Sequence, residues 1–160
     1  MAVTANQLTK RQDGNRQSFP VAASTTIYEG TLNFITATGY LDDDTASGAN
    51  RFAGVALAYV DNGSGSAGDK QGEVYADGVF ELVGTGFTQA SVGQPVFATD
   101  NYTITTSPSA SGVYIGECVG YVSSTKVLVC IDPDGISPVS TTAVKTADYT
   151  VTVGDSGKTF

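Results

Sequence analysis

Residues 113–131, VYIGECVGYVSSTKVLVCI, decide the fold class of this chain. Two runs rich in Val, Ile, Tyr and Leu, at 113–122 and 126–131, flank the polar residues Ser-Ser-Thr at 123–125. Two such runs separated by a few turn-forming residues are typical of a β-hairpin. The pattern therefore predicts two antiparallel strands joined by a short loop.

The same hairpin contains both cysteines of the chain, Cys118 and Cys130. With residues 123–125 as the loop, the two cysteines stand directly opposite each other. A disulfide is then geometrically possible, but the N-terminus lacks the apolar core of a signal peptide, which makes synthesis in the cytoplasm the default. Because a reducing cytosol disfavours disulfides, the sequence favours two small buried thiols.

Further strand-like segments occur before the hairpin at roughly ten-residue spacing, with turn residues between them. Residues 51–60 are apolar at successive positions, which predicts a strand buried on both faces. Asp77-Gly78 is the best two-residue hairpin signal in the chain. No segment carries the apolar stripe of an amphipathic helix. The predicted fold class is therefore all-β, a small β-barrel or β-sandwich, with strands at 24–28, 31–35, 51–60, 73–76, 79–83, 94–98 and 102–106.

The composition changes near Asp132, where DPDGISPVS reads as a linker. Beyond it, Tyr149, Val151 and Val153 alternate with threonines, which is a strand pattern without a local partner. We expect this tail to pair with another subunit or to begin a module of a longer protein. The predicted units are an N-terminal arm at 1–20, a β-barrel or sandwich domain at 21–132, a linker at 133–141 and a C-terminal β extension at 142–160.

Composition and charge exclude several classes of function. Acidic residues outnumber basic ones 16 to 8, and the net charge of −8 argues against general nucleic-acid binding. The chain has no histidine, which removes the commonest general base and metal ligand. No apolar run approaches the roughly 20 residues that a membrane span needs. We predict that the protein is not an enzyme, with no catalytic residue, cofactor or metal site.

Three short motifs are weaker than they look. Gly63 to Gly68 match GxGxxG, but a dinucleotide site needs a helix to start there, and a further strand follows instead. We expect a flexible surface loop. Asp42-Asp43-Asp44 and Asp132-Pro-Asp134-Gly135 lack the ligand spacing of a calcium loop, so solvated loops are the better interpretation.

The charge is distributed unevenly along the chain. Lys10, Arg11 and Arg16 against Asp13 give the first 20 residues a net charge of +2, so the other 140 residues carry −10. A basic arm on an acidic body can bind an acidic partner. A solvated N-terminus explains the same residues equally well.

Read in order, the motifs resemble the capsid cement, or head decoration, proteins of tailed bacteriophages. That family combines a polar N-terminal arm with a PVAAST segment, an RFAGVA strand, a VDN loop, an AGDK turn, a GVF hairpin and a final cysteine-containing hairpin. The resemblance covers residues 2–132, whereas the tail after Ile136 departs from the minimal family pattern. The matching segments here are Pro20 to Leu32, Arg51 to Ala56, Asp61-Asn62, Ala67 to Lys70, Val74 to Phe80, Val92 to Asp100 and residues 116–132.

The resemblance implies a structural virion protein on the outer surface of the expanded capsid. Its partner would be the major capsid protein, and it would sit as a homotrimer at three-fold and quasi-three-fold positions. We expect the arm, Ala2 to Phe19, to order on the capsid, with Lys10, Arg11, Arg16 and Phe19 in contact with the shell. The alternatives are a phage tail or fibre protein and a carbohydrate-binding β module.

Overall fold

Strands make up nearly all of the regular structure in the computed structural model, which describes residues 15–44, 50–107 and 112–134. A 3-10 turn at Gln89–Ser91 is the exception among them. The prediction of an all-β chain is confirmed. The strands are β1 Arg16–Pro20, β2 Thr25–Ile27, β3 Leu32–Ile35, β4 Leu41–Asp42, β5 Arg51–Ala56, β6 Val60–Asn62, β7 Gln71–Tyr75, β8 Val79–Gly84, β9 Pro95–Ala98, β10 Thr103–Thr105, β11 Val113–Ser123 and β12 Lys126–Ile131.

Some predictions lie outside the described residues. They are the arm up to residue 14, with Lys10 and Arg11, the linker beyond Asp134, and the C-terminal extension at 142–160. The last part of the predicted arm is described and is a strand, because Arg16–Pro20 pair antiparallel with Gln71–Tyr75 of β7.

A closed barrel occupies the second half of the described chain, with strand order β10-β8-β12-β11-β9. The short strand β10 closes it by pairing antiparallel with β9 and parallel with β8. Side chains alternate as they should in a barrel wall. On β12, Val127, Val129 and Ile131 are buried, whereas Leu128 and Cys130 face outward.

The β11–β12 hairpin is confirmed, but its register changes part-way along. At the loop, Ser123 belongs to β11 and pairs with Lys126, so the predicted three-residue loop is one residue too long; an irregularity between Tyr121 and Ser123 then brings Gly120 opposite Leu128, the predicted register. A bulge between Cys118 and Gly120 then shifts the pairing by one residue, so Cys118 lies opposite Val129. The predicted Cys118–Cys130 opposition is therefore wrong. Both thiols are free, but the predicted burial holds only for Cys118, because Cys130 is exposed.

A five-stranded sheet with strand order β1-β7-β5-β3-β4 packs against the barrel. One face of this sheet packs against the hydrophobic cluster that fills the barrel, and its contributing residues include Leu32, Phe34 and Phe52. The opposite face carries a second cluster, to which Leu41 and Val74 belong. Burial on both faces is confirmed for β5, although that strand ends at Ala56 and β6 pairs with β2 instead.

The predicted hairpin at Asp77-Gly78 is wrong. β7, on one side of this turn, pairs with β1 and β5, whereas β8, on the other side, pairs with β12 and β10. β7 and β8 do not pair because their side chains are buried in different clusters. Val74 of β7 belongs to the second cluster, and Leu82 of β8 belongs to the barrel cluster. Asp77-Gly78 is therefore the crossover from the sheet to the barrel, and the Gly78 carbonyl accepts a hydrogen bond from the Ile131 amide at 3.0 Å.

Two glycines allow neighbouring strands to approach closely. A Cβ on Gly116 would lie 2.1 Å from the Cys130 carbonyl oxygen, and a Cβ on Gly54 equally close to that of Tyr75. Both residues have φ angles that side chains with a Cβ rarely adopt, 153° and 145°. These positions therefore require glycine for steric and conformational reasons together.

Candidate binding surfaces

The outer surface of strands β8, β11 and β12 carries several exposed apolar side chains beside the charged Glu81, Glu117 and Lys126. Val79, Val119, Val122 and Leu128 are between 36% and 56% exposed there. We call these four residues, together with Cys130, the barrel face. Single exposed apolar residues are ordinary, but a group on adjacent strands is a candidate interaction surface. The signal was present in the sequence, because Val127 to Ile131 are apolar at every position rather than at alternate ones.

One ion pair lies beside this face. The Nζ of Lys126 donates a hydrogen bond to Oε1 of Glu81 at 2.6 Å. This hydrogen bond and the negative charge of Glu81 raise the pKa of Lys126 above its usual range. Since the two charges neutralise each other, the surface around Leu128, which pairs with Glu81 across the strands, carries no net charge from this pair.

A groove runs between β8 and the ends of strands β5 and β7 of the five-stranded sheet. It consists of two adjoining cavities of about 180 and 360 Å³, which share Gly30, Glu81 and Leu82 as lining residues. Its larger part is lined by residues such as Tyr75 and Phe80, whose ring centroids lie 5.9 Å apart. The groove is therefore apolar and aromatic at its wall, with carboxylates at its rim.

Two exposed tyrosines form a separate aromatic surface. Tyr28, which directly follows β2, is 57% exposed, and Tyr59, which directly precedes β6, is 56% exposed. The antiparallel pairing of Ile27 with Val60 brings the two tyrosines together. Their ring centroids are 5.5 Å apart with an interplanar angle of 55°. Nearby Asp61 contributes to a raised pKa of the Tyr59 hydroxyl, after the larger effect of desolvation.

The predicted capsid-contacting residues divide between the described and the undescribed parts of the chain. Arg16 is exposed at the start of β1, and its Cζ lies 5.4 Å from the centroid of the Tyr75 ring. Phe19 is half-buried and packs against the second hydrophobic cluster. Because alternate residues of a strand face opposite sides, Arg16 and Phe19 do not share one surface. Lys10 and Arg11 lie outside the described residues.

The loop at residues 63–68 does not begin a helix and is followed by β7. Hydrogen bonds hold it in place. The Asn62 side-chain amide donates to the carbonyls of Ala22 and Ser66 at 2.8 and 3.0 Å, and Ser24 N donates to Gly65 O at 3.2 Å. A surface loop is confirmed, and its anchorage to residues 22–24 was not visible in the sequence.

The aspartates at 42–44 lie where β4 ends. Burial, followed by a hydrogen bond and repulsion from Asp42, raises the pKa of Asp43. The side-chain Nδ2 of Asn101 donates to Oδ2 of Asp43 at 3.4 Å. Among residues 15–44, 50–107 and 112–134, no group of at least three His, Cys, Asp or Glu side chains is arranged to hold a metal ion.

No protein-family model matches the chain, and a search of curated proteins finds no match. Within the described ranges, no helix has the length and apolar character needed to cross a membrane.

Proposed function

We propose that the protein is a capsid cement protein, which binds the outer surface of an expanded phage shell and stabilises it by bridging major capsid protein subunits. On the shell it forms a homotrimer at three-fold and quasi-three-fold positions. A ligand that binds only the expanded state stabilises that state, and many symmetric copies make weak individual contacts sufficient. The resemblance of residues 2–132 to this family supports the proposal.

The observation that carries the proposal is the barrel face. Val79, Val119, Val122 and Leu128 remain exposed on a closed barrel whose interior is already filled. These side chains belong to neither hydrophobic cluster of the described residues. Burying them against a partner contributes about 25 cal/mol for each Å² of apolar surface removed from water. A protein that covers a shell requires such a surface.

The basic arm supplies the second contact in this proposal. Lys10 and Arg11 precede β1, whereas the described residues carry four basic against 13 acidic side chains. Carboxylates on the shell would pair with the arm, while the acidic body would not compete for them. Arg16 extends this contact along β1, which is an edge strand of its sheet, whereas Phe19 lies on the other side of the strand and anchors it to the second cluster.

The test measures occupancy of purified expanded shells by the full chain, by a chain lacking residues 2–14, and by a Lys10→Glu/Arg11→Glu variant. We choose 2–14 because a longer deletion would remove part of β1. Both variants should lose most of their occupancy and keep the far-ultraviolet circular dichroism of the parent. The matched control is Arg51→Glu/Lys70→Glu, which makes the same charge change at two exposed residues of the body.

The control variant should bind like the parent, because its substitutions lie outside the arm. Equal loss in both double variants would show that only net charge matters, and would contradict a specific role for the arm. Failure of the parent chain to bind expanded shells would overturn the proposed function.

A carbohydrate-binding β module is the second candidate, and the tyrosine pair favours it. Two exposed rings, tilted by 55° to each other beside Asp61, offer aromatic faces and a polar group of the kinds that sugar sites combine. In this case a Tyr28→Ala/Tyr59→Ala variant would lose binding to host cells or glycan arrays while keeping its occupancy of shells. A parent chain that binds shells and ignores glycans would exclude this candidate.

A further inference from the structure

We infer that the groove between β8 and the sheet is a second docking site, which takes an extended segment of the capsid partner as an added strand. The inference rests on the proposed function and deepens it. It assigns to the body of the protein a main-chain contact that is separate from the basic arm. Three observations carry it: a free backbone edge, the lining of the groove and the charge at its rim.

The free edge belongs to the first part of β8. Residues Val79 to Val83 pair with β12 along one side of the strand, whereas β10 pairs on the other side only with Val83 and Gly84. Within the described parts of the chain, no strand pairs with the β10 side of β8 between Val79 and Leu82. β8 is therefore an interior strand at one end and an edge strand at the other.

The hydrogen bonds at the two ends of β8 fix which backbone groups face the groove. The Gly84 amide donates to the Thr125 carbonyl, and the Ile131 amide donates to the Gly78 carbonyl, both at 3.0 Å. In an antiparallel ladder, hydrogen-bonded residues alternate with residues whose groups point to the other side. Gly78 and Gly84 therefore face β12, and the N–H and C=O groups of Val79 and Glu81 face the groove.

The lining of the groove suits an extended chain with alternating side chains. The half-buried rings of Tyr75 and Phe80 form its apolar wall, and the end of β5 at Val55 and Ala56, whose side chains are buried, closes it. A strand laid along β8 would direct alternate side chains toward this surface and the others toward water. Peptide recognition by strand addition combines main-chain hydrogen bonds with apolar sites for every second side chain in this way.

The charges select a partner segment that is basic rather than acidic. Glu29 lies at the rim of the larger cavity, and Glu81 at the rim shared by both. Glu81 is already paired with Lys126, so Glu29 is the carboxylate left to meet a cation. The described residues have a net charge of −9, from four basic and 13 acidic side chains. We therefore commit to an extended capsid segment that alternates apolar with polar residues, at least one of them basic.

Amide hydrogen exchange of the full chain, free and bound to purified expanded shells, tests the inference. The amides of Val79 and Glu81 should exchange rapidly in the free chain and at least tenfold more slowly on the shell. The amides of Phe80 and Leu82, which face β12, should be protected in both states. This residue-by-residue alternation would not arise from general burial of the surface.

A proline variant provides the matched functional test. Glu81→Pro removes a backbone N–H that β12 does not use, a position at which strands tolerate proline. Glu81→Thr is the control, since it also loses the carboxylate and keeps the N–H. The proline variant should reduce shell occupancy at least fivefold relative to the threonine variant, with unchanged circular dichroism for both.

Each outcome decides between the two proposals. Shell binding with unchanged exchange at Val79 and Glu81 would overturn the groove inference and leave the proposed function standing. Slow exchange at both amides in the free chain would show that the edge is covered within the chain itself, which also overturns the inference. Absence of shell binding by the parent would overturn both proposals together.

Discussion

The sheet and the barrel of this protein place their apolar residues differently. In the sheet, β5 is buried on both faces, because Phe52 and Val55 pack into the cluster shared with the barrel and Ala53 and Ala56 into the second cluster. In the barrel, β12 buries one face only, and Leu128 on its other face remains exposed. Both strands read as continuous apolar runs in the sequence.

This difference in burial between β5 and β12 shows that a continuous apolar run in a strand can have two structural origins. Where an apolar run is buried on both faces, its composition is explained by the fold of the isolated chain. Where one face is exposed, burial among the described residues does not explain the apolar composition, which makes that face a candidate contact surface. The sheet is thus the better-covered part of the described structure, and the barrel is the part that presents a surface.

Truncating one residue in the sheet and one on the barrel face tests whether the two regions differ in burial. Phe34→Ala removes a side chain that is fully buried between sheet and barrel, and should lower the free energy of unfolding by about 3–5 kcal/mol. Leu128→Ala on the barrel face should change it by no more than about 1 kcal/mol. Chemical denaturation of the full chain measures both. A comparable loss in the two variants would show that Leu128 is part of a core.

Protonation of Asp100 should test how strongly the loop that joins the barrel to the sheet contributes to stability. Asp100 lies in the loop from which the Asn101 carbonyl accepts a hydrogen bond from Leu32 of the sheet at 2.8 Å. Burial raises the pKa of Asp100, but bonds from the Thr103 hydroxyl and from the amides of Thr103 and Tyr102 outweigh it and lower the pKa below 3.8. The folded state therefore prefers the charged form.

The sign of the pH effect follows from this lowered pKa. The stabilisation is complete above the ordinary carboxyl pKa of 3.8 and is lost as the pH falls through the lower, folded value. Asp100→Asn should lower the free energy of unfolding by about 0.5 kcal/mol at neutral pH, because solvent screens this exposed carboxylate, and the difference from the parent should vanish in strong acid. Chemical denaturation at several pH values measures the difference in the free energy of unfolding. Asp77→Asn, which lies on an exposed turn, is the control. A difference independent of pH would refute the explanation.

The smallest expected effect concerns reactivity rather than stability. Cys130 on the barrel face should react with a maleimide in the native protein, whereas Cys118 in the barrel core should react only after unfolding. Mass spectrometry before and after denaturation should give one adduct and then two. Modification of both thiols in the native state, or of neither, would contradict the bulge between Cys118 and Gly120.

Local patterns in the sequence were enough for the strands of the barrel hairpin, for burial on both faces of β5 and for the all-β class. Each depends on the nature of neighbouring residues along the chain. The candidate surfaces were harder to predict. The Tyr28–Tyr59 pair and the groove at β8 each require two segments that are distant in sequence to meet.

What the sequence determined by itself is where the chain extends and where it turns, because side-chain alternation and turn residues act over a few positions. Which strands pair was decided by the tertiary structure. Asp77-Gly78 has the composition of a hairpin, yet Val74 and Leu82 are buried in different clusters and the turn joins two sheets. Burial of both side chains outweighs the local preference, and the same choice leaves the edge of β8 open.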